Sequence, residues 1–244
     1  DMTRDGELAA SDYVPTVINA LAGEDDVAVI ATQMLQLGTA VELYAADSHR
    51  DSLRALAADG VEKLMDSAPA GSDLQLQYVR SFATFAFSPA QTARIKAILD
   101  GAISGLTVDA NLRWHLLNSL VERGAATVAD VEAELERDKT ADGEKAAAFG
   151  RAALPDASVK AAAWQLVATQ DLSNHIQLQT ALGFQRSSQR SLTAEYVDKY
   201  FDSVTAYFDA HTYEFGKSYA TWFFPIYQVS QATVDKTEGW LSGK

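Results

Sequence analysis

Apolar residues along this chain recur at spacings of three and four, and almost nothing alternates with the period of two that a half-buried strand requires. Val27, Ile30, Ala31, Met34 and Leu35 fall at i, i+3, i+4, i+7 and i+8, which predicts one apolar helix face. Leu112, Leu116, Leu117, Leu120 and Val121 predict another. Polar start signals precede such runs: Ser48 with Asp51, Ser72 with Gln75, Ser88-Pro89 with Gln91, and Thr127 with Asp130. Each sets a hydroxyl where it can accept from free backbone N–H groups, with a polar partner three residues on. Pro89 suits a first helical position, where the donor it lacks would have no partner anyway. Gly23, Gly60 or Ser67, Gly101, Gly124, Gly143 and Gly183 lie near the ends of apolar runs and read as stops, with Gly60 also compatible with a helix interior.

This rhythm predicts an all-α protein of roughly a dozen or more helices joined by short turns, with no long linker and no low-complexity segment. A helix pair every ~35–45 residues points to an α-α superhelix, a solenoid of HEAT-like or armadillo-like hairpins that treats residues 1–244 as a single helical-repeat domain. Sequence self-similarity is weak, so the repeat rests on helix rhythm, and a compact multi-helix bundle is the alternative.

Composition narrows the partners. With 48% hydrophobic residues the chain has enough apolar surface for a sizeable core. Acidic residues outnumber basic ones 33 to 20, a net charge of -13 that argues against nucleic acid or anionic lipid as a partner. Cysteine is absent, which removes disulfides, thiolate nucleophiles and thiolate metal ligands and fits a reducing cytoplasm. No apolar stretch is read as approaching the ~18 residues of a membrane span, so a soluble protein without a membrane partner is expected. The opening Asp1-Met2-Thr3-Arg4 lacks an initiator methionine and reads as a fragment of a longer chain.

Catalytic templates are hard to place. A zinc peptidase helix needs two imidazoles one turn apart with a glutamate beside the first. The four histidines, His49, His115, His175 and His211, stand far apart. His211 and Glu214 share a helical turn, but two ligands leave a site incomplete; a helix-end histidine is the simpler reading. His115, beside Trp114 on an apolar helix, reads as a packed, hydrogen-bonded side chain. No nucleophile elbow, dinucleotide fingerprint or phosphate loop is present, and acidic runs such as Glu24-Asp25-Asp26 lack calcium-loop spacing. The segment from Tyr196 to Phe224 is rich in aromatics. Tyr196, Tyr200, Val204 and Tyr207 or Phe208 share a helical face, which reads as core, with a ring-lined peptide-binding concavity as the functional alternative. Pro225 is expected to end or kink the helix that carries Trp222 to Phe224.

One block is more specific. It reads Asp109, Leu112-Arg113-Trp114, Gly124, Asp138-x-Thr140-x-x-Gly143, Ala152-Ala153-x-Pro155 and Lys160-x-x-x-Trp164. This resembles the C-terminal helical domain of bacterial aminopeptidase N-type zinc peptidases, the actinobacterial kind in particular. The similarity extends upstream to Asp1-Met2-x-Arg4-Asp5-Gly6-Glu7-Leu8 and Asp12-Tyr13-Val14, and downstream to Gly183-Phe184-Gln185, Gln189, Leu192, Tyr196, Tyr200-Phe201, Phe224-Pro225 and Trp240-Leu241. It departs after Tyr200-Phe201, where the family often has a tryptophan and this chain has Phe208 and His211.

The resemblance implies a non-catalytic domain that caps an active site and controls peptide access. Zinc, catalysis and substrate binding would then lie in an absent upstream catalytic domain, with no cofactor in this chain and peptides as substrates of the whole enzyme. A free-standing helical-repeat scaffold that binds another protein is the alternative. The block residues themselves read as structural: Asp109 with Arg113 as an ion pair beside Trp114, Asp138 and Thr140 as caps of the next helix, and the Lys160 stem lying on Trp164. Arg186 and Gln189 are the positions nominated for substrate-side contact. No residue is assigned a catalytic or metal role.

Overall fold

The computed structural model describes residues 2–170 and 172–243; Asp1 of the upstream motif lies outside them. Among the described residues there is no strand. The helices are α1 (Ala10–Leu21), α2 (Val27–Thr39), α3 (Asp47–Ser67), α4 (Asp73–Phe85), α5 (Pro89–Leu99), α6 (Ala110–Glu122), α7 (Val128–Arg137), α8 (Ala141–Ala153), α9 (Ala157–Thr169), α10 (Asn174–Phe184), α11 (Arg190–Thr193), α12 (Tyr196–Ala210), α13 (Tyr213–Trp222) and α14 (Gln231–Ser242). They fall into two compact units, Asp1–Leu120 and Val121–Lys244.

The first unit packs α3 against α1 and α4 around a largely aliphatic core that includes Val14, Ile30, Leu37, Val61, Met65, Val79, Ile95 and Leu116, with Tyr78, Phe82, Phe85 and Trp114 set into it. The buried face of α2 differs from the expected one. Ile30, Met34 and Leu37 point inward and Val41 continues the stripe, while Leu35 is 74% exposed. A five-residue π-helical turn, Ala40–Tyr44, extends α2 and keeps Ala40 and Val41 in the core. The joined run Val27–Tyr44 is therefore 18 residues with a mean hydropathy of 1.2, long and apolar enough to cross a membrane, contrary to the sequence expectation. Its inward stripe, and the bidentate pair of Glu42 with Arg54 at 2.7 and 2.8 Å, give that hydropathy a place in packing.

Start signals hold at three of four sites. Ser88 with Gln91 and Thr127 with Asp130 form complete capping boxes, and Ser72 accepts from the Gln75 N–H at 3.1 Å. Ser48 caps nothing, because α3 begins one residue earlier behind Ala46. Of the two alternatives Gly60 and Ser67, α3 stops at Ser67 with Gly60 in its interior, whereas the expected stop at Gly143 sits in the first turn of α8.

The second unit is organised around the crossing of α8 and α10. A Cβ on Gly183 would stand 2.2 Å from the Phe149 carbonyl oxygen and 3.1 Å from the Ala152 Cβ, so the approach of the two helices demands a residue without a side chain. Beside it lies an aromatic core. Trp164 of α9 is within 5.1–6.1 Å of the rings of Phe184, Tyr196, Tyr219 and Phe223. Tyr196, Tyr200, Val204 and Tyr207 form the buried face of α12, as the periodicity predicts. The α13 helix stops at Trp222, ahead of Pro225.

Candidate functional site

Buried polar side chains gather where helices of the second unit end. The last carbonyls of any helix have no partner within it, and they form the negative end of its dipole. Here the problem is sharpened by Pro155, which follows α8 with no N–H to donate back. Two side chains supply what the chain cannot. Lys160, fully buried, donates from Nζ to the Ala152 carbonyl at 2.7 Å and the Gly183 carbonyl at 3.1 Å, joining the ends of α8 and α10. Gln189 donates from Nε2 to the Ala153 carbonyl at 2.7 Å and the Glu122 carbonyl at 2.9 Å, closing the ends of α8 and α6.

The segment 185–190, a short strap that includes the 3₁₀ turn Ser187–Gln189, is held at the same place by charge. Glu122, 7% exposed, accepts from Arg186 at 2.8 Å and from the Ser188 hydroxyl at 2.9 Å. Burial alone would raise this carboxyl, but the charges of Arg186 and Arg123, with the hydrogen bonds from Arg186 and Ser188, hold it below its ordinary value. Lys160 moves down to about 7, first because burial penalises its charged form, then because Arg186 repels it, with Glu122 opposing.

The family-motif residues thus acquire specific tasks. Asp109 accepts from the Leu112 N–H at 2.8 Å and so caps α6, with Arg113 half-buried and Trp114 buried on the following turn. Thr140 caps α8 through the Gly143 N–H at 3.1 Å and donates its own hydroxyl to Asp138 at 2.8 Å. Gly143 is needed because a Cβ there would lie 2.1 Å from the Asp138 carbonyl oxygen. The Lys160 Nζ lies 5.9 Å from the Phe184 ring and holds carbonyls, while Trp164 packs among aromatics.

Arg186 and Gln189, nominated for substrate contact, are placed beside Glu122, Gln189 being 3% exposed with its amide N–H groups on backbone carbonyls. Glu122 and Ser188 were missed. A signal existed for Glu122, since a carboxylate on the last turn of an apolar helix sits against the dipole and calls for a cationic partner.

Two of the histidines serve structure. His115 donates to the Arg80 carbonyl at 2.9 Å, and His211 donates to the Tyr207 carbonyl at 2.8 Å while its ring stacks on Tyr207 at 4.0 Å. Among the described residues no three His, Asp or Glu side chains are grouped to hold a metal ion, so the donor set does not fit a zinc site. Burial raises the Tyr200 and Tyr219 hydroxyls, the latter to about 12, which leaves them as neutral hydrogen-bonding groups in the core. In the first unit an open groove of about 860 Å³ runs between α1 and α3, lined by Pro15, Ile18, Ala22, Leu56, Lys63 and Leu64 among others. Its Asp59 is engaged by the Gln91 amide at 2.8 Å, and its walls are mostly apolar.

These arrangements organise helix ends and cores. Aminopeptidase N of Streptomyces lividans is 38% identical over 245 residues, an alignment that takes in 99% of this chain and 29% of the relative. The chain therefore spans less than a third of the length of that curated relative. The family described as the ERAP1-like C-terminal domain matches residues 1–244, and the chain belongs to that family.

Proposed function

We propose that this chain is the non-catalytic C-terminal domain of a zinc aminopeptidase, which caps the active site and limits which peptides enter. An upstream domain of the same polypeptide would hold the zinc and remove N-terminal residues, in the cytoplasm. The observation that carries this reading is the whole-chain match to a C-terminal domain family, joined to alignment with a minor share of an aminopeptidase N. The disposition of side chains supports it: the buried acid is taken up by Arg186 and Ser188, and the buried lysine and glutamine are committed to helix ends. What such a domain contributes is confinement of substrate and exclusion of water, with the proton transfers performed elsewhere.

The test compares the full-length parent with a version lacking residues 1–244, using an aminoacyl-arylamide and a series of longer peptides. Deletion is expected to relax the preference for short peptides while leaving arylamide cleavage measurable, and adding the purified chain in trans is expected to restore the preference. Unchanged length selection would favour the scaffold reading. The isolated chain is expected to hold no stoichiometric zinc and to leave the arylamide intact; metal-dependent turnover by the chain alone would overturn the proposal.

A further inference from the structure

The run from Ser218 to Val234 carries no charged side chain, although 22% of the whole chain is charged. Its large apolar side chains face two ways. Phe223 is buried in the aromatic core, whereas Trp222, Ile226, Val229 and Val234 are between 42% and 76% exposed. A single exposed leucine or valine is ordinary on any surface. Several large apolar groups close together in the chain, with no charge among them, are the mark of an interaction surface.

The loop that presents them is held in place from both sides. Gln185, just after α10, donates from Nε2 to the Trp222 and Phe224 carbonyls at 2.8 and 2.6 Å. Gln228 donates to the Arg190 carbonyl at 2.7 Å and to the Thr193 hydroxyl at 3.0 Å, and the Arg190 guanidinium lies 5.7 Å from the Tyr227 ring. Around the buried Pro225 the chain turns tightly, the Ile226 N–H donating to the Phe224 carbonyl at 2.7 Å and the Gln228 N–H to the Pro225 carbonyl at 2.9 Å. Gln185 and Phe224-Pro225 carry part of the family resemblance, and these hydrogen bonds give them a shared task, which is to set the loop. A loop already fixed has little freedom to lose on docking, and a tryptophan on such a support is a typical interface anchor.

The size of the patch selects its partner. A stable complex of free partners engages ~20–30 residues a side, far more than this loop and the start of α14 offer. A body on the same polypeptide is present at an effective concentration of roughly millimolar, so a small apolar contact is enough to seat it. The chain aligns with 29% of the Streptomyces lividans aminopeptidase N, so most of that polypeptide lies outside the alignment. We infer that the loop Trp222–Val229 is the seat on which the catalytic domain of the parent enzyme rests, through an uncharged, apolar face and with Trp222 as the anchor. The inference rests on the reading of this chain as a domain of a larger aminopeptidase, and it adds where the two bodies meet.

Hydroxyl-radical footprinting tests this by comparing side-chain oxidation in the isolated chain and in the full-length parent. Oxidation of Trp222 and Ile226 is expected to be roughly fivefold slower in the parent, since the core of an interface excludes water. Val229→Asp puts a charge at an exposed position. The isolated variant should melt like the wild type, while in the parent it should return Trp222 to near its isolated rate. Equal oxidation in the parent and the isolated chain would overturn the seat. So would protection that appears only with a long, uncleaved peptide, which makes the loop a substrate surface, or protection that grows with the concentration of the isolated chain, which makes it a contact between copies. Deletion of residues 1–244 tests the underlying reading separately. If it relaxes peptide-length selection while the loop stays exposed in the parent, the domain assignment stands and the seat alone falls.

Discussion

The two units solve the same problem, holding helices together, with different chemistry. In Asp1–Leu120 the core is largely aliphatic, with Tyr78, Phe82, Phe85 and Trp114 set into it; Arg94 reaches Glu62 and Asp66 at its edge, while the buried Arg54 reaches Glu42 and Asp51. In Val121–Lys244 the core is aromatic and the charges have moved inside, with Lys160 and Glu122 buried and Gln189 spanning two helix ends. Rim ion pairs add little, because water screens them and the side chains lose freedom in pairing. Buried ones are costly to assemble and costlier to break, since the partner left behind keeps its desolvation penalty. The first unit should therefore tolerate loss of the Arg94 ties at its edge, and the second should not tolerate loss of the cation on its buried Glu122.

Removal of one cation from each unit is the most direct way to break that comparison. Arg186→Met is expected to destabilise the second unit by about 3–5 kcal/mol, leaving Glu122 buried without its main counter-charge, whereas Arg94→Met is expected to cost about 1 kcal/mol or less. Urea unfolding followed by exchange in each unit reads both; equal losses would erase the distinction.

Helix crossings give a second contrast. Gly183→Ala drives a methyl into the Phe149 backbone and should cost about 1–3 kcal/mol or more. Gly60→Ala in α3 meets the Ile18 side chain, whose nearest atom is at 2.4 Å but belongs to a movable group, so a smaller loss is expected. A reversed order in thermal melts would show that the first crossing is the rigid one.

A smaller effect is expected at the helix starts, where the units are alike. Ser88→Ala in the first and Thr140→Ala in the second should each cost about 1 kcal/mol in urea midpoint. A much larger loss for Thr140→Ala would extend the special character of the second unit to the start of α8, where the threonine also holds Asp138.

The pH profile sharpens the comparison further. Glu122 is lowered in the folded state, so its stabilisation is present above the unfolded carboxyl value and is lost as pH falls through the folded one. Lys160 works at the other end. Its folded value of about 7 lies below the 10.5 of an ordinary lysine, so between these the unfolded chain binds a proton that the folded chain has released, and stability rises with pH. Both slopes should appear in the unfolding of the second unit; Glu122→Gln should flatten the acid limb and Lys160→Met the alkaline one.

Sequence pattern conveyed local structure better than these long-range roles. Capping at Ser72, Ser88 and Thr127, the buried faces of α6 and α12, and the helix stop before Pro225 follow from neighbours within a few residues, and all were legible. The face of α2 was misjudged because Leu35 looks like any leucine at i+8, and only the tertiary partner chooses between adjacent stripes. Gly143 resembled a stop although it opens α8 against the Asp138 carbonyl, and Gly183, at the end of α10 as expected, gave no local sign of its tight approach to the distant Phe149 backbone. The polar hub was hidden for the same reason. Gln189 is 67 residues from Glu122 and 36 from Ala153, and no periodicity encodes such a meeting.

The proline after α8 has one more consequence, in the order of folding. Because Pro155 cannot close the helix it follows, the Ala152 and Ala153 carbonyls wait for donors eight and 36 residues later in the chain. A nascent α8 therefore frays at its carboxyl end until α9 and then the strap have arrived. The stretch from the end of α6 to α11 should accordingly form as one cooperative foldon, completed only when Gln189 docks.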